Sequence, residues 1–577
     1  MKFREWLGRL APVTRPDPKN PAETDEFLRA GLAHHRAGEH AKAEECYLAL
    51  LAERPEHPRA LFLLGDLACS AGRYSEAVQR IRTAIALQPD HVPGYRSLGH
   101  ALRMQGELDG AIEIFRQALA LDPGSAEIHL HIGDVQRRQG RYDEALASCL
   151  AAVALAPGLA LARNNLGNAY TDLGRPEEAI TAYRGALELD PELAEAHLNL
   201  GTSLHQGGEV EPASKHYRAA LALNPELADG HLNLGYAHEQ LGDPRGAIEC
   251  YRRTISIDPD RADAHFNLAL QLLLIGDFAQ GWEEYEWRWQ LPGLSDVNPH
   301  SASRHWDGSA LAGESILLYA EQGFGDAIQF LRYAPLAAKG AGKVIVRCAP
   351  ELQRLFECTS NISAVVNTAE PIPECDLCCS LLSLPRLLGT MLQSIPAPIP
   401  YLRADPAKTW RLHERIAADG AGLKVGLVWA SQAVNKIARS KSLKLEMLGS
   451  MGAIENVVFY SLQKGAAASE AANPPRGMRI VDASAELADF SDTAALIANL
   501  DLVISVDTAV AHLAGAMGKP VWTMTHFPPD WRWMLGRDDS PWYPTMRLFR
   551  QQHPRHWASV VAQVAEALTR MAIRRRV

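Results

Sequence analysis

Asp326, Asp507 and His512 are the titratable side chains of this 577-residue sequence whose settings most suggest chemistry. The stretch "VISVDTAVAHLAGAMGKPVW", residues 503 to 522, reads as an apolar strand that stops at Asp507-Thr508 and turns at once into a helix carrying His512. An acid, a hydroxyl and an imidazole at one strand end suit nucleophilic catalysis. The backbone N–H groups of about residues 508 to 511 would equally suit a phosphate, because they point out of the helix start. His512 also fits a buried histidine whose partners lie within the fold. A second strand-to-helix turn occurs at "SILLYAEQGFGDAIQFLRYAP", with Gly323, Gly325 and Asp326 in the turn. Gly325 permits a tight turn and leaves Asp326 at the helix N-terminus. There a carboxylate either caps backbone N–H groups or faces a cleft as a general base. A dinucleotide-binding loop is not expected, since Ile328 stands where its third glycine belongs.

Basic and amide side chains come after two further strand patterns. Lys441-Ser442 comes after "LKVGLVWAS", in a loop that also holds Lys436, Arg439 and Lys444, and Gln463-Lys464 comes after "VVFYSL". An ammonium at a strand end can neutralise a diphosphate, and an amide can read a base or a sugar. Either lysine also fits a solvated surface charge. "FPPDWRWMLGRDDSPWYP" gathers Trp531, Trp533, Trp542 and Tyr543, which either line a ligand site or cover a sheet. Cys375, Cys378 and Cys379 form C-x-x-C-C without a second pair or histidines at ligand spacing, so the segment reads as a buried strand and no metal is expected.

The elements that must position these residues alternate in the second half of the chain. "SILLYA", "KVIVRC" and "DLCCSL" are short apolar runs, then "IPAPIPYLRADPA" at 395 to 407 interrupts. The alternation resumes with "LKVGLVWAS", "VVFYSL", "LDLVISV" and "PVWTM", and ends on the helix pattern "WASVVAQVAEALTRM". Apolar runs alternating with helices imply parallel sheets, here two doubly wound halves at 314–405 and 406–577, with ligands at the carboxyl ends of the strands.

The first half is periodic. Prolines 55, 89, 123, 157, 191, 225 and 259, glycines 31, 65, 99, 133, 167, 201 and 235, and alanines 43 to 247 all recur every 34 residues, a spacing of stacked helix pairs. Small residues let the helices approach, and each proline is expected to open a helix. Eight units are expected over 24–295, after a tail at 1–23 and before a linker at 296–313. The last unit departs into "GWEEYEWRWQ", which is expected to cap the array or pack on the second half of the chain. Asn165, Asn199, Asn233 and Asn267 occupy one position in four consecutive units. Repeats stack about 10 Å apart and an extended peptide advances about 3.3 Å per residue, so each amide could hold roughly every third residue of a guest backbone. They could instead bond to each other or to neighbouring loops.

Composition bounds the classes. A net charge of −10 without long basic runs excludes an evident nucleic-acid surface, and no stretch of 18 apolar residues suggests a membrane span. A cytoplasmic protein is expected, and nine scattered cysteines argue against a disulfide framework.

These motifs carry two resemblances. The 34-residue units resemble the tetratricopeptide repeat. "GDAIQFLRYAP" followed by "DTAVAHLAGAMGKPVW" resembles glycosyltransferase family nine, the heptosyltransferase type, with the GT-B architecture of two facing Rossmann-like halves. The asparagine ladder and overall arrangement are similar to those of protein O-linked N-acetylglucosamine transferases, whose superhelix feeds polypeptide to a catalytic domain. The resemblance implies an inverting, metal-independent transfer from a nucleotide-sugar co-substrate, with no other cofactor. Asp326 would be the base, and Gly325, Lys441, Gln463, Lys464, Asp507, Thr508 and His512 would serve the donor. Asn165, Asn199, Asn233 and Asn267 would serve a protein or peptide acceptor. The family usually has glycine after Asp-Thr, where this sequence has Ala509. A competing reading is a repeat scaffold whose transferase-like half binds a nucleotide or nothing. A GT-B phosphorylase or epimerase is a third.

Overall fold

The computed structural model describes residues 21 to 574 apart from 294–303, 361, 397, 419, 421 and 433–435, and their side chains apart from 21–25 and 436–438. The expected tail as far as residue 20, the first part of the expected linker and the end of the chain from Arg575 lie outside the described residues. Two compact units divide the chain, Met1–Pro225 and Glu226–Val577.

In the first unit, helices run in pairs from Pro21–Arg36 and His40–Glu53 to Ala194–Gln206 and Val210–Leu223. The glycine column has a steric cause. A Cβ added at Gly167 would lie 2.4 Å from the Tyr183 ring, so the aromatic of the second helix fills the place of a side chain on the first. Gly201 stands in the same way against Tyr217. A second glycine column, from Gly38 through Gly276, turns one helix into the next at φ between +68° and +91°, a conformation that disfavours a Cβ. The prolines differ from expectation. Pro89 and its equivalents sit in the turn between units, and the next helix starts three residues on, at Val92 after the His91 cap. The proline closes off one helix and does not open the next.

The second unit begins with two more helix pairs, Ala228–Gln240 with Pro244–Ile257 and Ala262–Ile275 with Phe278–Tyr285, and a 3-10 turn at Glu286–Gln290. Two parallel sheets come next. The first has the order β1-β5-β2-β3-β4, from β1 (Arg304–His305), β2 (Ser315–Tyr319), β3 (Lys343–Cys348), β4 (Ala364–Asn367) and β5 (Leu377–Ser380). The second has the order β11-β10-β9-β6-β7-β8. Its strands are β6 (Leu423–Val428), β7 (Val457–Ser461), β8 (Ile480–Asp482), β9 (Leu502–Val506), β10 (Val521–Thr525) and β11 (Met546–Arg550). All the expected apolar runs are strands. The four strands that the sequence pattern did not show, β1, β4, β8 and β11, are the four sheet edges. A strand buried on both faces reads as an apolar run, whereas an edge strand does not. The first sheet therefore starts inside the expected linker, at the exposed pair Arg304-His305.

The last repeat is built into the sheets. Phe278, Trp282 and Tyr285 share one core with Ile316, Phe330, Trp531 and Trp542. Arg288, fully buried, donates its Nε to Glu321 at the end of β2 (2.9 Å) and an Nη to Ser383 (2.7 Å). The two halves are also fastened to each other. Arg332 donates to the Trp542 carbonyl at 2.8 Å and to the Tyr401 hydroxyl at 3.2 Å, and Tyr401 in turn donates to the Ile328 carbonyl at 3.1 Å.

Candidate active site

Asp326 stands in the first turn of the Phe324–Phe330 helix, directly after β2. Both of the roles open to it are visible in its geometry. Its Oδ2 accepts the Gly323 N–H at 3.1 Å, the capping bond, while its Oδ1 accepts from Arg532 Nη2. Arg532 comes from the other half, in the loop after β10. Its Nη1 donates to Asp530 at 2.9 Å, its Nε to Gln329 at 2.9 Å, and its guanidinium lies over the Trp531 ring at 4.3 Å. Asp530 also faces Lys441 at 3.8 Å, and Lys441 pairs with Asp507 at 2.6 Å. The result is one chain of alternating charge, Asp507, Lys441, Asp530, Arg532, Asp326, from the end of β9 to the helix after β2.

Three carboxylates thus share two cations in a site where Asp507 and Arg532 are less than a tenth exposed. The charges are set by this competition. Burial alone would raise every carboxyl, but Lys441 holds Asp507 below its ordinary range, and Arg532 with Lys441 holds Asp530 below it as well. Asp326 differs: burial, reinforced by Asp530, outweighs Arg532 and leaves its carboxyl raised. Burial works against the charge on Lys441 and Arg532, but their carboxylate partners outweigh it and keep both firmly protonated. His512 is pushed down to about 3 by burial, so it is neutral at physiological pH. Its Nδ1 meets the Tyr543 hydroxyl at 3.0 Å, and its ring stacks on Trp533.

The structure brings Asp326, Lys441 and Asp507 into one chain, with Thr508 and His512 on the adjoining helix start. Thr508 is the residue before the Ala509–Ala516 helix, and its hydroxyl meets Ser505 Oγ at 2.9 Å. Gly325 has a different reason from the one expected. A Cβ there would lie 3.0 Å from the His512 ring and 3.6 Å from Ala509 Cα, so its small size lets the two helix starts touch. Gln463 is also corrected. Its amide accepts from Trp429 and Ala430 N–H and donates to the Ala430 and Lys464 carbonyls, all within 3.1 Å. Four bonds complete the capacity of an amide and leave none to read a base. Lys464 is exposed and donates to the Ser484 carbonyl, outside the charge chain. Arg439 and Lys444 are exposed too, and the Lys436 side chain lies outside the described residues; among the described basic side chains of this loop, Lys441 is the one that joins the chain. Trp531, Trp533, Trp542 and Tyr543 are buried between the halves and the last repeat, so they cover the interior.

Asp530 and Arg532 were not singled out by sequence. The available signal was an acid and a base set among tryptophans at a strand end, in "FPPDWRWM".

The asparagine column is partly engaged. Asn199 Nδ2 donates to the side-chain oxygens of Asn164 and Asn168, both at 3.0 Å, and Asn165 accepts from Asn164 at 3.4 Å. In the second unit Asn267 Nδ2 donates to the Asp263 carbonyl at 2.6 Å and to the Tyr236 hydroxyl at 3.2 Å. Asn233 is half-buried.

Comparison with known proteins separates the two parts of the chain. Tetratricopeptide repeat families match residues 28–92, 96–160, 167–207, 201–242 and 228–261. Glycosyltransferase family 9 (heptosyltransferase) matches residues 446–526. The chain joins segments that match tetratricopeptide repeats to a segment that matches glycosyltransferase family 9. That segment contains Asp507, Thr508 and His512 and leaves Asp326, Lys441, Asp530 and Arg532 outside. Protein FlbA of Caulobacter vibrioides is 30% identical over 323 residues, 52% of this chain and 54% of that protein, so the chain spans about half the length of the curated relative it matches. PilF of Pseudomonas aeruginosa resembles 37% of this chain and 96% of its own at 22% identity and a TM-score of 0.33. A thermophilic repeat protein of Thermus thermophilus resembles 32% of this chain and 99% of its own at 27% identity and a TM-score of 0.28. No helix among the described residues is long and apolar enough to cross a membrane.

Proposed function

We propose that the protein transfers a sugar from a nucleotide-sugar donor to a polypeptide hydroxyl, with inversion and without a metal. The observation that carries the reading is the charge chain at the strand ends, which links a carboxylate of raised basicity through Arg532 and Asp530 to the donor-side groups Lys441 and Asp507. Lys441 and the N–H groups at the start of the Ala509–Ala516 helix hold the donor diphosphate, and Asp507 orients Lys441. Asp326 takes the proton from the acceptor hydroxyl as its oxygen bonds to the anomeric carbon. The bond from that carbon to the diphosphate oxygen breaks, and the electron pair leaves with the nucleoside diphosphate. Neutral His512 packs against Gly325 and Tyr543 and fixes the helix start. The repeats that carry Asn165, Asn199, Asn233 and Asn267 recruit the polypeptide through its backbone in an extended segment.

The test has two steps. Thermal melting with UDP, ADP, GDP and TDP should show stabilisation by one of them. The matching nucleotide sugar should then release that diphosphate faster when protein extract is added. Stabilisation with no release under any acceptor condition favours the scaffold reading, in which the transferase half only binds nucleotide.

A further inference from the structure

The guanidinium of Arg532 is held in a way that separates its two ends. Nε is fixed to Gln329 Oε1, and the plane rests on the Trp531 ring. The Nη edge is the part that faces carboxylates, with Nη1 on Asp530 and Nη2 on Asp326. A planar fork of this kind matches phosphate as well as it matches carboxylate. The carboxylates outnumber the cations here, so a diphosphate cannot simply add to the site. It must take a cation from a carboxylate.

Resting on the donor-site reading above, we propose that Arg532 is a donor-diphosphate ligand that exchanges its pairing with Asp326 for phosphate, so that donor binding releases the base. While Arg532 Nη2 sits on Oδ1 and the Gly323 N–H on Oδ2, each oxygen of Asp326 already accepts one hydrogen bond, and the guanidinium beside Oδ1 works against its taking a proton. Transfer of Nη2 to the diphosphate frees Oδ1, which then becomes more basic because a cation has left its side. Asp530 keeps Nη1 and Lys441 on the same side throughout, which holds the guanidinium within reach of both partners. Arg532 is thus a binding residue that also positions the base. Donor must bind before acceptor.

Calorimetric titration of the full chain with UDP, ADP, GDP and TDP tests the exchange, using wild type, Arg532→Gln, Asp326→Asn and the double variant. The amide oxygen introduced by Asp326→Asn can still accept the Gly323 N–H, and circular dichroism melts establish that each variant is folded. Arg532→Gln should weaken the nucleotide that binds by about 10- to 100-fold, the span of a charge-assisted bond, and Arg532→Lys should fall between. Asp326→Asn should tighten it, by about 3- to 10-fold if only part of that bond is recovered. The gain should vanish in the Arg532→Gln background. Equal tightening in both backgrounds would show a general field effect of one carboxylate and overturn the exchange, as would unchanged affinity in Arg532→Gln. If none of the four nucleotides binds wild type, the donor-site reading itself falls and takes this one with it. Binding without coupling overturns only the exchange.

Discussion

Asp326 shows how little a residue's type says before its neighbours are known. The same carboxylate caps a helix through one oxygen and pairs with Arg532 through the other. Its carboxyl is raised by burial, so the donor-saturated turnover rate should fall with acid at a pH above the ordinary aspartate value of 3.8. A pH–rate profile of wild type checks this. General-base catalysis contributes about 10²- to 10⁴-fold, so Asp326→Asn should lose turnover by that amount while binding nucleotide at least as tightly as wild type. His512 permits a stability prediction. Its folded value of about 3 lies below the 6.5 of an exposed histidine, so between these values the unfolded chain binds the extra proton. The stability that neutral His512 contributes is fully present above pH 6.5 and is lost as pH falls towards 3. Melting temperature should therefore drop less steeply from pH 7 to pH 4 in His512→Gln than in wild type. An unchanged slope would mean that the imidazole titrates normally.

Among the elements, the loop after β10 does most to connect distant parts of the second unit. Phe527 packs so closely on Gly242, in the turn of a repeat, that a Cβ there would lie 2.3 Å from its ring. Trp531 meets Trp282 of the last repeat at 5.4 Å, and on either side of this contact the loop delivers Asp530 and Arg532 to the charge chain. Two alanine substitutions separate packing from function. Gly201→Ala forces a Cβ against Tyr217 and should cost about 1 to 3 kcal/mol in urea unfolding with little change in nucleotide release. Gly242→Ala should lower release as well, since it displaces the loop that carries the site. The central strands of both sheets and the helix pairs were legible in the sequence because they repeat or bury both faces. The edge strands were not, because Arg304-His305 and "MRLFR" carry charge on faces that meet solvent. Asp530 and Arg532 were hidden for another reason. Their partners Lys441 and Asp326 lie about 90 and 206 positions away in the chain, and periodicity carries no information about such pairs.

At the scale of the molecule, the last two repeats share a compact unit with the two parallel sheets, and the buried Arg288–Glu321 pair joins the end of the repeats to the end of β2. Burial raises the Glu321 carboxyl to about 7 in spite of Arg288 beside it. Removing one member of such a pair typically costs about 3 to 5 kcal/mol, so Arg288→Met should lower the melting temperature more than any single substitution of an exposed ion pair. The asparagine column bears on acceptor use. Asn199 and Asn267 already bond within the repeats, and a guest backbone would add to these bonds through their remaining oxygens. Replacing Asn199, Asn233 and Asn267 together with alanine should raise the acceptor KM several-fold, about the loss of one to two net hydrogen bonds, while kcat with saturating acceptor holds. The most direct test of sugar transfer to polypeptide tracks labelled sugar from nucleotide sugars into protein, with the full chain and with Asp326→Asn. Label should appear in protein with wild type, and none above background with Asp326→Asn. Equal labelling by wild type and Asp326→Asn, or no labelling with any nucleotide sugar, would contradict the assignment of Asp326 as the base of a protein glycosyltransferase.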